Sequence, residues 1–165
     1  MRGRDHRPTS CLRGHDDLTE ARRRAVPYRG RVPPKSSPLR TAARLALGAM
    51  LAGAGVSHLT VAREPFQAQV PETLVKALPV STDDVVLASG VVEIGLGAAL
   101  LGLPKERLRI GSVVAAFFVA VFPGNISQLL KHADAFGLDT DRKRVVRLFF
   151  QPLLVLWALF AGGVV

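Results

Sequence analysis

The chain has 165 residues, 48% of them hydrophobic, yet a net charge of +9 and one cysteine, Cys11. That length bounds it to one domain plus a tail. A single thiol excludes an internal disulfide or a CxxC couple. The conflict between apolar content and charge resolves when charge is mapped: four apolar blocks stand clear of it, at 45–62, 85–103, 110–130 and 148–165, with Glu93 as the lone exception. Each block is about as long as a helix needs to cross a bilayer. None has the charged face of a soluble amphipathic helix. The fold expected is all-α, a four-helix transmembrane bundle. The basic residues lie in a tail and in short connections, so anionic lipid is the expected partner and not nucleic acid.

Residues 1–40 are rich in Arg, Pro, Ser and Asp and read as a disordered basic tail. No apolar stretch follows the early arginines before Leu45, so no cleavable signal peptide of normal form is expected. The membrane domain is expected over 41–165. Its first span opens after Arg40 and Arg44, which can snorkel toward the interface. Gly48, Leu51, Gly55 and His58 then share one helical face. Small residues mark faces that pack on other helices, so His58 should point into the bundle.

Residues 63–84 form a connection in which Pro65, Pro71 and Pro79 preclude a long helix. Short amphipathic turns at the interface are expected there. Asp83 and Asp84 fall at the start of the second span, where carboxylates favour the helix dipole. Within that span Gly90, Glu93 and Gly97 share a face, and Ser89 lies one turn before Glu93. Pro104 should end the helix, and the basic PKERLR connection follows.

The third span carries Gly111, Ala115, Phe118, Phe122 and Asn125 on one stripe. Pro123 frees the carbonyl of Val119, so a break is expected near the end of this span, repaired by Asn125 or a neighbouring helix. The fourth span puts Gln151, Val155, Ala158 and Gly162 on one face, with Pro152 expected in its first turns, where a missing N–H costs least. Phe117, Phe118, Phe122, Phe149, Phe150 and Trp157 are expected as core or interface anchors.

Four spans put both termini on one side. Arg and Lys number twelve ahead of the first apolar block and three in the second connection, against two and five in the first and third. The positive-inside rule therefore expects a multi-pass protein of the cell membrane with both termini cytoplasmic. On either orientation His58, Glu93, Asn125 and Gln151 fall in the same half of the membrane. They are expected to form one ligand-binding polar pocket. A carboxyl at this depth needs partners and marks a functional position, so Glu93 is the candidate proton acceptor. One His and one Glu make a poor metal set, and no metal site is expected.

The phrases GAGVSH (53–58), PFQAQVP (65–71), SGVVEIGLGAAL (89–100), VFPGNI (121–126) and RLFFQPLLVLWAL (147–159), in that order, resemble the DoxX-like family of small integral membrane proteins. The resemblance covers roughly residues 41–162 and leaves the Arg-rich tail outside. It implies a four-helix membrane bundle. Some such proteins are linked to thiosulfate–quinone oxidoreduction or to membrane redox complexes, and a distant animal relative assists receptor assembly. The expected function is thus a membrane subunit of a redox complex that handles quinone or another small hydrophobic ligand. With no haem or flavin motif, its electrons would come from a partner oxidoreductase subunit. A non-enzymatic assembly or scaffold protein, or a proton-coupled transporter working as a homo-oligomer, are the alternatives.

Overall fold

A computed structural model describes residues 37–165; the expected basic tail, apart from its last four residues, lies outside them. The described chain is all-α. Four long helices, α1 (Pro38–Leu59), α4 (Thr82–Gly102), α5 (Arg107–Leu130) and α6 (Asp141–Gly162), are joined by short ones, α2 (Arg63–Gln67) and α3 (Glu72–Ala77), and by a 3₁₀ turn at Pro104–Glu106. All four long helices are long and apolar enough to cross a membrane.

Local sequence sets most of the boundaries. Ser37 caps α1 by accepting from the Arg40 N–H, with Pro38 in the first turn. Ser81 and Asp84 form a reciprocal capping box at the start of α4. Pro104 lies just past the end of α4 and opens the 3₁₀ turn. Gly163, at φ +81°, closes α6, while the Val164 N–H reaches back to the Leu159 carbonyl.

Two of the proline expectations are corrected. Helix α5 runs through Pro123 without a break, because flanking turns and packing hold it in register. Pro152 is well inside α6, since the charged segment from Asp141 to Arg147 is already helical and precedes the apolar block.

The bundle is built from two close pairs, α1 with α4 and α5 with α6, and α1 also packs on α6. The expected small-residue faces are the buried ones. A Cβ on Gly97 would lie 2.6 Å from the Gly48 carbonyl oxygen, and one on Gly55 would lie 2.5 Å from that of Gly90. Backbones this close leave no room for a side chain, so these glycines set the α1–α4 separation. Between the pairs sits a core of Leu47, Leu51, Leu100, Val114, Phe118 and Ala158. Outward faces are apolar as well: Val91, Val119, Phe149 and Leu153 are all more than half exposed. Such a surface suits hydrocarbon and not water.

At the end of the bundle where α1 begins, Arg44 does not snorkel outward. It is buried and donates to the carbonyl oxygens of Leu100 and Leu101. The last carbonyls of α4 have no partner within their helix, and a guanidinium supplies one. Arg40 donates to the Val165 carbonyl at 2.8 Å and lies over the Phe160 ring. Trp157 Nε1 donates to the Ala43 carbonyl at 3.0 Å, tying α6 to α1.

The close approach is testable. Gly97→Ala should destabilise the bundle by about 1–3 kcal/mol through overpacking. Gly95→Ala, where a Cβ meets nothing within 4 Å, should change stability by no more than about 1 kcal/mol. Thermal unfolding of both variants in the same detergent measures the contrast.

Candidate functional site

His58 is the penultimate residue of α1 and is buried. The chain turns tightly after it, the Ala62 N–H reaching the Ser57 carbonyl at 2.9 Å. This turn brings α2 back over the helix end, so that the Phe66 ring stands edge-on against the imidazole. Opposite, on α4, Gly90 and Gly97 bracket Glu93 on the buried face. A Cβ on Gly90 would sit 2.9 Å from that of His58, so the missing side chain is what lets the imidazole reach the carboxyl.

His58 Nδ1 lies 3.3 Å from Glu93 Oε2 and 3.2 Å from Ser89 Oγ. The Ser89 hydroxyl donates to the Val86 carbonyl at 2.9 Å. Its single hydrogen is thereby committed, so toward His58 it acts as an acceptor. This network assigns a proton to Nδ1 and leaves Nε2 of the neutral ring as an acceptor. The approach to Glu93 is close but poorly aligned. Among the described residues, Glu93 Oε2 is the one buried side-chain polar atom without a hydrogen bond. An unsatisfied buried oxygen of this kind calls for an explanation. It can accept from a ligand hydroxyl, or exchange a proton with the imidazole beside it.

Asn125 and Gln151 form a second pair, between α5 and α6. Both are buried, and Asn125 Nδ2 donates to Gln151 Oε1 at 3.0 Å. Gln151 Nε2 donates in turn to the Phe118 carbonyl, one residue before the Val119 carbonyl that Pro123 was expected to free. The neighbouring helix thus supplies an amide at Phe118, not at the expected carbonyl of Val119. Among the described residues no hydrogen bond or ion pair joins His58–Glu93 to Asn125–Gln151. The four residues form two pairs and not one network, because each helix pair closes its own small-residue face. No three His, Cys, Asp or Glu side chains converge among the described residues.

Several polar groups were not singled out from the sequence. Arg144, buried at the start of α6, holds Asp134, Asp141 and the Ala133 carbonyl. Gln128, also buried, faces the carbonyls of Ala133 and Ala135. Together they clasp the connection 131–140, in which Phe136 adopts φ +57°, a conformation that costs a bulky residue about 1 kcal/mol or more. Its ring packs on Phe66 and under the Arg147 guanidinium. With its amide oriented by the network, Gln69 accepts from Arg147 Nη2 at 2.9 Å and Nη1 at 3.2 Å. On the exposed rim, Glu72 meets Lys131 at 3.3 Å, and Lys131 first, with Lys76, holds its carboxyl below the usual range. A hint was available for Arg147 alone, as the first residue of the segment RLFFQP; the others are set by tertiary contacts that spacing does not encode.

The His58–Glu93 contact predicts an energetic coupling. His58→Ala and Glu93→Gln, singly and together, should give a double-mutant coupling of about 0.5–3 kcal/mol. His58→Ala with Asn125→Ala should be additive to within about 0.5 kcal/mol. Unfolding of the six proteins, wild type included, in one detergent decides it.

No curated protein and no solved structure matches the chain. One family model does, over residues 47–161, which takes in His58, Glu93, Asn125, Arg147 and Gln151 and most of each long helix. Its description is a domain of unknown function. With well over half of its length matched, the chain belongs to the DUF8561 family.

Proposed function

We propose that the protein is a multi-pass membrane subunit that binds a quinone or another small hydrophobic molecule beside His58 and Glu93 and exchanges electrons through a partner oxidoreductase. The observation that carries this reading is the buried carboxyl oxygen of Glu93, close to an imidazole yet without a hydrogen bond. Ionisable groups at membrane depth tend to mark ligand or proton pathways. The resemblance to DoxX-like proteins supports the same reading. So does the pairing of two proton-exchanging groups, which suits a reaction that couples proton and electron movement.

In this scheme a quinone takes two electrons from the partner and two protons. The Glu93 carboxylate accepts one proton, which the Nδ1–H of His58 can supply as Nε2 takes up another, and passes it to a quinone oxygen. The second proton comes from water. Asn125 and Gln151 shape the neighbouring half of the bundle. Both termini face the cytoplasm, as the charge distribution favours.

Glu93→Gln keeps the shape of the side chain and its hydrogen-bonding capacity while removing its acid–base function. Wild-type protein purified in mild detergent should carry extractable quinone. In membranes with its partner, Glu93→Gln should slow quinone reduction at least about 100-fold, the lower range of a general acid–base contribution. Protein devoid of quinone together with a fully active variant would overturn the proposal in favour of a scaffold role.

A further inference from the structure

Arg147 has no carboxylate partner among the described residues. It is partly buried, six residues into α6, and its contacts are with neutral groups, the Gln69 amide and the Phe136 ring. These fix the guanidinium in place without neutralising it. A desolvated cation is costly unless an anion accompanies it.

The guanidinium lines a cavity of about 380 Å³ formed with Asn125, Lys143, Phe150, Gln151 and Leu154. Its polarity is graded along the helix. Lys143 and Arg147 stand within roughly 3–9 Å of the helix start, at 1.5 Å per residue, whereas Leu154 lies roughly 20 Å along it. Lys143 and Arg147 therefore stand toward the start of α6, the buried amides of Asn125 and Gln151 form part of the lining, and Leu154 lies farther along the helix. Lys143 is paired with Asp139 at 2.8 Å, so Arg147 carries the uncompensated charge. The volume is at the small end of ligand sites, which run about 300–1,000 Å³. It suits a headgroup and the upper part of one chain, the remainder continuing into the bilayer.

We infer that this cavity is a binding site for an anionic phospholipid, with the headgroup phosphate on Arg147 and an acyl chain along Phe150 and Leu154. Basic pockets between transmembrane helices recognise anionic headgroups through the same charge complementarity. An Arg fork matches two phosphate oxygens, and a zwitterionic lipid gains less because its own cation opposes Arg147.

Native mass spectrometry of the full-length protein, titrated with phosphatidylglycerol or with phosphatidylcholine of the same chains, tests this. Wild type should bind one phosphatidylglycerol about tenfold more tightly than phosphatidylcholine, and Arg147→Gln should remove that preference, as loss of one charged hydrogen-bonding contact implies. Leu154→Trp, which fills the cavity while leaving the Arg147 contacts in place, should weaken binding by a similar factor and guards against misfolding of the first variant. Glu93→Gln should leave lipid binding unchanged, so this inference and the quinone proposal fail separately. Equal binding of the two lipids, or a preference that survives both Arg147→Gln and Leu154→Trp, would overturn the inference. Displacement of the lipid by inorganic phosphate would also overturn it, assigning the site to a free anion.

Discussion

The organisation of this bundle depends on a carboxyl group placed in the middle of an apolar helix. Hydrocarbon offers Glu93 no hydrogen bond and no counter-charge, so the group persists only where another helix brings a polar partner to it. That partner is His58, and it reaches Glu93 because Gly55, Gly90 and Gly97 let two backbones approach to a distance at which any Cβ would collide. The glycines and the polar pair are thus one device. The small residues generate contact area, and the contact area positions the acid.

The same constraint accounts for the other buried polar groups. Asn125 and Gln151 satisfy each other and a backbone carbonyl. Arg44 closes the end of α4, and Arg144 gathers the connection between α5 and α6. Each of these ties lies within one helix pair or at one end of the bundle, whereas the apolar core spans both pairs. Two groups fall outside this pattern of mutual satisfaction. Glu93 Oε2 lacks a hydrogen bond, and Arg147 lacks an anion. They are separate in chemistry, one suited to a proton-exchanging ligand and the other to a phosphate.

Much of the architecture was legible in sequence because lipid imposes simple rules. Uninterrupted apolar length marked the spans, and the recurrence of small residues at three- and four-residue spacings marked the buried faces on which His58, Glu93, Asn125 and Gln151 all lie. Helix spacing, however, fixes a face and a depth, not which helix stands opposite. It therefore grouped four residues that the fold divides into two pairs. Prolines misled for a related reason: Pro123 and Pro152 are carried inside continuous helices, since tertiary packing holds a helix across a lost backbone bond. Arg44 looked like an interfacial anchor, but its role is decided by the end of a helix more than fifty residues away. Phe66 and Phe136 come together only through the paths of two connections.

The central claim is that Glu93 is held against His58 inside the α1–α4 interface. Solid-state NMR of protein in lipid bilayers, with ¹⁵N in histidine and ¹³C in glutamate, measures it directly. The account predicts a dipolar coupling between the His58 Nδ1 and the Glu93 carboxyl matching the 3.3 Å approach of Nδ1 to Oε2. A Glu93 carboxyl with no coupling to His58, in contact instead with lipid acyl protons, would contradict it.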